Sequence, residues 1–248
     1  MNDESSKMEI DGIICSVRVH ARSKYVRLKM VLHEGLVIVV PPGYDRASVT
    51  KVLLRHREWI RAAAERLASV HQELRRISPD LLPESIEILF SGEHIRICYE
   101  RRFDDGVAYS IDPGGTLHIS GKTGSTGLCR AVLQMWLKHK AADLLFPELT
   151  RLAMLHGFSF KRSGIRLQKS RWGSCSSSGT ITLNAKLIFL PPHLVRSVLL
   201  HELCHTVHMN HSPSFKRLLE TYDPDRHLHE MQMKTASRHI PVWAVLRV

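Results

Sequence analysis

HELCHTVHMNH, residues 201–211, is the stretch on which the reading of this chain turns. A helix has 3.6 residues per turn, so His201 and His205 fall one turn apart on one face. Two imidazoles placed that way can ligate one tetrahedral Zn²⁺, and Glu202, beside the first, can reach a metal-bound water as a general base. His208 sits about 10.5 Å of rise beyond His201 on a straight helix, too far to share its metal. His211 is the better third ligand. Asn210 tolerates the left-handed conformation that ends a helix, so the chain can turn there and bring His211 back. Three protein ligands with an open position describe a catalytic site rather than a closed structural one. The expectation is therefore one Zn²⁺ per chain on His201, His205 and His211, with Glu202 as the catalytic residue of a zinc-dependent hydrolase.

The flanks of the motif support this reading. Pro191 and Pro192 open a helix expected to run from His193 to about Met209. Leu194, Val195, Val198, Leu199 and Leu203 form its core stripe, while His201, Glu202 and His205 fall mostly on another side. The pattern HExxH is short and the chain holds 16 histidines, so a chance match carries weight. The apolar stripe, the proline start and the third histidine argue against chance.

Composition bounds the rest. The chain has 248 residues, 44% of them hydrophobic, enough to bury a sizeable core. No apolar run approaches the roughly 20 residues that cross a bilayer, so no membrane insertion is expected. The acidic, polar start MNDESSKMEIDG lacks the regions of a secretory signal, which points to the cytoplasm. Five scattered cysteines (15, 98, 129, 175 and 204) form no CxxC pair, which argues against a disulfide framework or a zinc ribbon. Cys204 reads as a small core residue and Cys175 as structural. The formal charge of +11 favours anionic partners, nucleotide or nucleic acid among them. Basic residues are dense at Arg18, Arg22, Lys24, Arg27 and Lys29, and again at Lys161, Arg162, Arg166, Lys169 and Arg171. A solvated surface explains such runs in most proteins, but the second precedes the motif closely enough to border its cleft.

The patterning along the chain indicates an α+β fold. GLVIVVPPG (35–43) is a strand stopped by prolines. After Asp45 a helix carries Val49, Val52, Leu53, Trp59, Ile60, Ala63 and Leu67 through about Val70, and 75–85 is a linker. Short strands punctuated by SGE, DDG and DPGG suggest hairpins over 86–120. A long helix spans 125–156, with Pro147 marking a kink or a second start. Strands near 164–169 and 180–190 flank the loop SRWGSCSSSG. Trp59, Trp136 and Trp172 read as packing residues, and His227 and His229 as surface or helix-end residues. No internal repeat is visible. Two parts are expected to pack as one unit: a β-rich N-terminal part with one helix over 13–120, and a catalytic part over 121–248.

The run KSRWGSCSSSGTITLNAKLIFLPPHLVRSVLLHELCHTVHMNHSPSF (169–215) resembles the YgjP-like metallopeptidases, and more distantly the SprT-like and WLM-type zinc proteases. RSKYVRLKM, GLVIVVPPG and the helix containing REWI extend the likeness upstream, so that it covers roughly 18–220. The spacing of His201, His205 and His211 is also that of the metzincins, although His208 stands where they carry glycine and no methionine turn can be assigned. The resemblance implies a zincin-like domain whose HExxH helix packs on a small sheet, with His201, His205 and His211 as ligands and Glu202 as base. It also implies a cleft-edge strand that pairs with an extended peptide, with RWGSC and TITLN as candidates and Arg171, Trp172 and Asn184 as candidate cleft residues. Oxyanion stabilisation is open among Arg171, His208 and Tyr222. Glu220, Asp223 and Asn184 are candidates to orient the imidazoles. Phe215-Lys216, where relatives carry Phe-Trp, and the tail from Asp225 depart from the pattern. A peptide or protein is the expected substrate. The alternatives are a metal-dependent nucleotide or phosphoanhydride hydrolase, a DNA-associated SprT-like protease, and a non-enzymatic metal-stabilised module, against which the intact Glu202 argues.

Overall fold

A computed structural model of the chain describes residues 6–10, 13–21, 23, 25–31, 35–63, 82–103 and 105–246. The chain divides into two compact units at 79/80. In the first, β1 (Ser6–Ile10), β2 (Ile13–Val19), β3 (Arg27–Val31) and β4 (Gly35–Val40) form a sheet of order β1-β2-β4-β3. The β2–β4 pair is parallel and the two outer pairs are antiparallel. Strand alternation sets Cys15, Val17, Leu36, Ile38 and Val40 on one face. There they join Val49 and Leu53 of α1 (Arg46–Arg55) and Ile60 of α2 (helical over 57–63) in one buried core. A turn at His56 separates the two helices, and Trp59, expected in the core, is 43% exposed. Residues 64–70 of the expected helix and 75–81 of the expected linker lie outside the described residues.

The second unit opens with β5 (Ser85–Ile88), β6 (Glu93–Arg101), β7 (Val107–Ile111) and β8 (Leu117–Gly121), in the order β5-β6-β8-β7. Hairpins form at SGE and at DPGG, where Gly92 and Gly115 take positive φ. DDG makes no hairpin, because β8 lies between β6 and β7 and pairs with β6 in parallel. This is the plan of the first sheet over again: the same order, the same sequence of orientations, and a helix next in the chain. The repeat is one of topology, carried by different side chains, which is why no periodicity shows in the sequence. Helix α3 (Thr126–His156) starts from the Ser125 cap and ends at Gly157, φ 71°. It continues through Pro147, its buried row from Leu133 to Leu152 passing the proline unbroken. Ile86, Ile88, Leu117 and Ile119 share that core, so β5–β8 belong with α3 rather than with the N-terminal part.

A third sheet carries the site. β9 (Arg162–Arg166) lies parallel to β11 (Thr180–Asn184), and β10 (Gly173–Cys175) pairs antiparallel on the other side, giving the order β10-β11-β9. The strand expected over 180–190 stops at Asn184, whose side chain accepts from the Lys186 N–H and starts a buried 3₁₀ turn over Ala185–Phe189. Helices α4 (Pro192–Cys204), α5 (Pro213–Tyr222) and α6 (Arg226–Met233) follow. The tail returns to the core: Gln134 Nε2 donates to the Trp243 and Leu246 carbonyls, and Trp243 meets Phe189 edge-on at 6.0 Å. No helix among the described residues is long and apolar enough to cross a membrane.

Gly121 closes β8 at φ 121°, and a Cβ there would stand 2.1 Å from the Gly106 carbonyl oxygen. Gly121→Ala is expected to destabilise the protein by about 2 kcal/mol or more, as read by urea denaturation, because strain and clash add.

Candidate metal centre

Helix α4 is held by its apolar stripe. Leu194, Val195, Leu199, Leu200, Leu203 and Cys204 are buried in the main core, which leaves His201 and His205 to face the opposite way. The helix stops sooner than its pattern suggests. Cys204 is its last residue and His205 its cap, after which Val207 and His208 N–H both donate to the Cys204 carbonyl. The chain therefore turns at 205–208, before Asn210, and this returns His211 to the first two histidines. Ser212 then caps α5 by accepting from the Phe215 N–H, with Pro213 in the first turn.

The three imidazoles converge. Their candidate ligand atoms all lie within 4.8 Å of one another. His201 Nε2 is 3.2 Å from His205 Nε2 and 3.1 Å from His211 Nε2. Burial, reinforced by the other two rings, lowers the His201 pKa to about 4, so the imidazole is neutral at pH 7 and its lone pair is available. His205 Nδ1 donates to the His208 carbonyl at 3.0 Å, which commits Nε2 to the lone-pair role. His208 thus serves through its backbone. Phe215, 1% exposed, stacks on His205 at 4.5 Å and meets His201 and His211 edge-on at 5.0 and 4.9 Å. The sequence marks an aromatic here, but only the fold shows that it wedges all three rings.

Glu202 is 5% exposed, and its Oε2 has no hydrogen-bond partner. Burial raises its pKa to about 7 against the opposing charge of Arg171. Gly173 of β10 accounts for the tightness of this pocket. A Cβ at 173 would lie 2.6 Å from Glu202 Oε1 and 2.7 Å from Cγ, so only glycine lets the strand pass this close. Cys175, on the same strand, feels the Glu202 charge, and burial first and that charge second raise its thiol pKa. It is not among the converging ligand atoms.

The other candidates divide. Arg171 is exposed and within electrostatic reach of Glu202, and Trp172 is half-buried against the core. Asn184 faces inward. It is 2% exposed and donates to the Gln168 and Arg171 carbonyls at 2.9 and 2.7 Å, bracing the loop that leads into β10. Tyr222 packs on His156 and Phe158, and Glu220 pairs with Arg226. Asp223 accepts from Ser197 Oγ at 2.5 Å and pairs with His229, a half-buried residue rather than a surface one. Glu220 and Asp223 are therefore engaged away from the imidazoles. Of the two segments proposed to pair with a peptide, TITLN (β11) is flanked on both sides and only β10 lies at the sheet edge.

The raised Glu202 pKa makes a signed prediction for metal-free protein. Between its ordinary 4.5 and about 7 the folded state holds a proton that the unfolded state has lost, so this group's contribution to stability falls as pH rises. Glu202→Gln cannot titrate. Its stability relative to wild type is expected to grow by about 3 kcal/mol from pH 4.5 to 7, read by urea denaturation. His201, depressed from 6.5 to about 4, contributes with the opposite sign but is present in both proteins. A flat difference between variant and wild type would contradict the assignment.

The family model for the YgjP-like metallopeptidase domain matches residues 24–236, a span that includes the histidine cluster, Glu202 and β10. No curated protein and no solved structure matches the chain. Residue pattern, geometry and family match agree: the chain belongs to the YgjP-like metallopeptidase family.

Proposed function

We propose that the chain is a zinc-dependent peptidase, with His201, His205 and His211 holding the ion and Glu202 handling the protons. The observation that carries this reading is the convergence of three Nε2 atoms beside a buried carboxylate oxygen without a partner. Two of the three nitrogen separations suit Zn²⁺: tetrahedral ligation at about 2.0–2.1 Å separates neighbouring nitrogens by about 3.3 Å, His201 Nε2 stands 3.2 and 3.1 Å from its two neighbours, and the third pair lies within 4.8 Å. An ion so held supplies Lewis acidity, polarising a carbonyl and acidifying water.

Glu202 supplies the rest. Buried beside the histidine cluster, its carboxylate would accept a proton from the attacking water and pass it to the leaving amine. Gly173 fixes where that carboxyl stands. β10, as an edge strand, offers the backbone groups with which an extended peptide pairs. Arg171, exposed and near Glu202, is placed to meet negative charge on a substrate.

Glu202→Gln is expected to keep stoichiometric zinc while peptide hydrolysis falls by at least about 10²–10⁴-fold. His205→Ala loses both metal and activity. Metal analysis beside a screen over peptides, casein and nucleoside triphosphates checks this. Full activity in Glu202→Gln would remove the general-base role, and turnover of triphosphates alone would move the assignment to phosphoanhydrides. Gly173→Ala is expected to retain zinc and lower kcat, since the added methyl displaces the carboxyl and not the imidazoles.

A further inference from the structure

From residue 149 to residue 201 the chain contains no Asp or Glu, so the third sheet and its loops are built without a carboxylate. Glu202 is the first that the chain supplies after Glu148. Cations elsewhere in this unit find partners. Lys140 meets Glu93 at 2.6 Å, Arg151 meets Glu148 at 2.7 Å, and Arg226 bridges Glu220 and Glu230 at 2.7 and 3.0 Å. Arg166 and Arg171 do not. Both are exposed, and among the described residues neither side chain takes part in a hydrogen bond or an ion pair.

The two arginines stand at one end of the sheet. Arg166 is in register with Asn184, whose N–H donates to the Trp172 carbonyl at 2.8 Å, so β9 and the entry to β10 meet there. The Asn184 side chain holds the Gln168 and Arg171 carbonyls at 2.9 and 2.7 Å. A cation kept only for solubility gains nothing from a braced backbone, whereas one that must meet a charge at a set place does. Gly173, which abuts Glu202, follows two residues after Arg171, about 7 Å on at the rise of a strand. The other end of β10 runs into Ser176, Ser177, Ser178 and Gly179, a stretch with no charge. A peptide paired with β10 therefore lies between a cationic end and a neutral end, with the Glu202 carboxyl between them. Arg171 is within electrostatic reach of Glu202 without bonding it, which leaves the guanidinium donors to a substrate.

We propose that this end of the site selects substrates by charge: Arg171, in a field that Arg166 strengthens, takes a carboxylate about two residues from the bond cut, on one side of it only. The proposal rests on the peptidase reading and names its substrate class, peptides that are acidic at that position. The carboxylate is supplied by an Asp or Glu side chain or by the peptide's C-terminus. Peptides carrying Glu, Gln or Lys at each position in turn, as C-terminal amides and as free acids, are incubated with the full chain, and the cuts are read by mass spectrometry. Glu is expected to be enriched near the cut on one side in the amides; enrichment of cuts near the end of the free acids alone assigns the terminal carboxylate instead. For the best Glu/Gln pair, Arg171→Gln should lower the ratio of kcat/KM values about 10-fold, as loss of a charge-assisted hydrogen bond does. Arg171→Glu should turn the preference to Lys, and salt should shrink the wild-type ratio. Fluorescence anisotropy of the same peptides on Glu202→Gln reads the preference without turnover. An Arg171-dependent preference in binding, with no hydrolysis by wild type, would uphold the selectivity and sink the peptidase reading. Hydrolysis indifferent to Glu, Gln or Lys, or a Glu preference unchanged in Arg171→Gln, would overturn the proposal and leave that reading standing. Displacement of the acidic peptide by a single-stranded oligonucleotide at lower concentration than by the unlabelled peptide would overturn the occupant.

Discussion

The backbone of β10 runs against the carboxyl of Glu202 with no space for a side chain between them, and the rest of the centre is arranged about that contact. Removing the carboxyl from water raises its pKa. Keeping it there requires that neither wall move. One wall is α4, fixed by a stripe of leucines and valines in the core. The other is the loop 168–173, whose carbonyls are tied down by Asn184 from the start of the buried 3₁₀ turn. The Glu202 carboxyl is therefore held between a helix and a strand, each anchored by contacts away from it.

The histidine cluster was legible in the sequence because it depends on local rules: helical spacing, a proline start, and a turn before the third histidine. The features that went unread depend on contacts across the fold. The role of Gly173 exists only when β10 meets α4, and Phe215 becomes a wedge only once the chain has turned at 205–208. Asn184 looked like a polar residue available to a cleft, and its burial under carbonyls of a loop 13 and 16 residues earlier could not be inferred from spacing. Helix α4 ends at Cys204 although the apolar and histidine pattern continues, because the turn that returns His211 uses up the last carbonyls. In the first unit, the apolar period of 49–67 gave no sign of the break at His56, and Trp59 is left partly exposed.

The C-terminal segments show how far from the histidine cluster this positioning extends. Asp223 holds Ser197, one turn before His201 on α4, and also holds His229 of α6, whose Nδ1 lies within reach of both carboxylate oxygens. Beyond α6, Trp243 and Ala244 are buried in the core that contains α3, with Gln134 securing the backbone there. The family match runs to residue 236, and the tail on both sides of that limit is bonded to the fold: His229 to the Asp223 that holds α4, and the backbone at 243–246 to the long helix α3.

Two sheets with one plan set the chain a problem of self-recognition. Strands that must pair in parallel, β2 with β4 and β6 with β8, wait for the intervening segment to close before they meet. Each has a counterpart of similar length and position in the other sheet, so a refolding chain has competing partners for every inner strand. Vectorial synthesis removes the competition, since the first sheet can close before the second leaves the ribosome. Renaturation from denaturant restores it, and exchange of a strand between the two sheets, or between two chains, is the error this architecture invites.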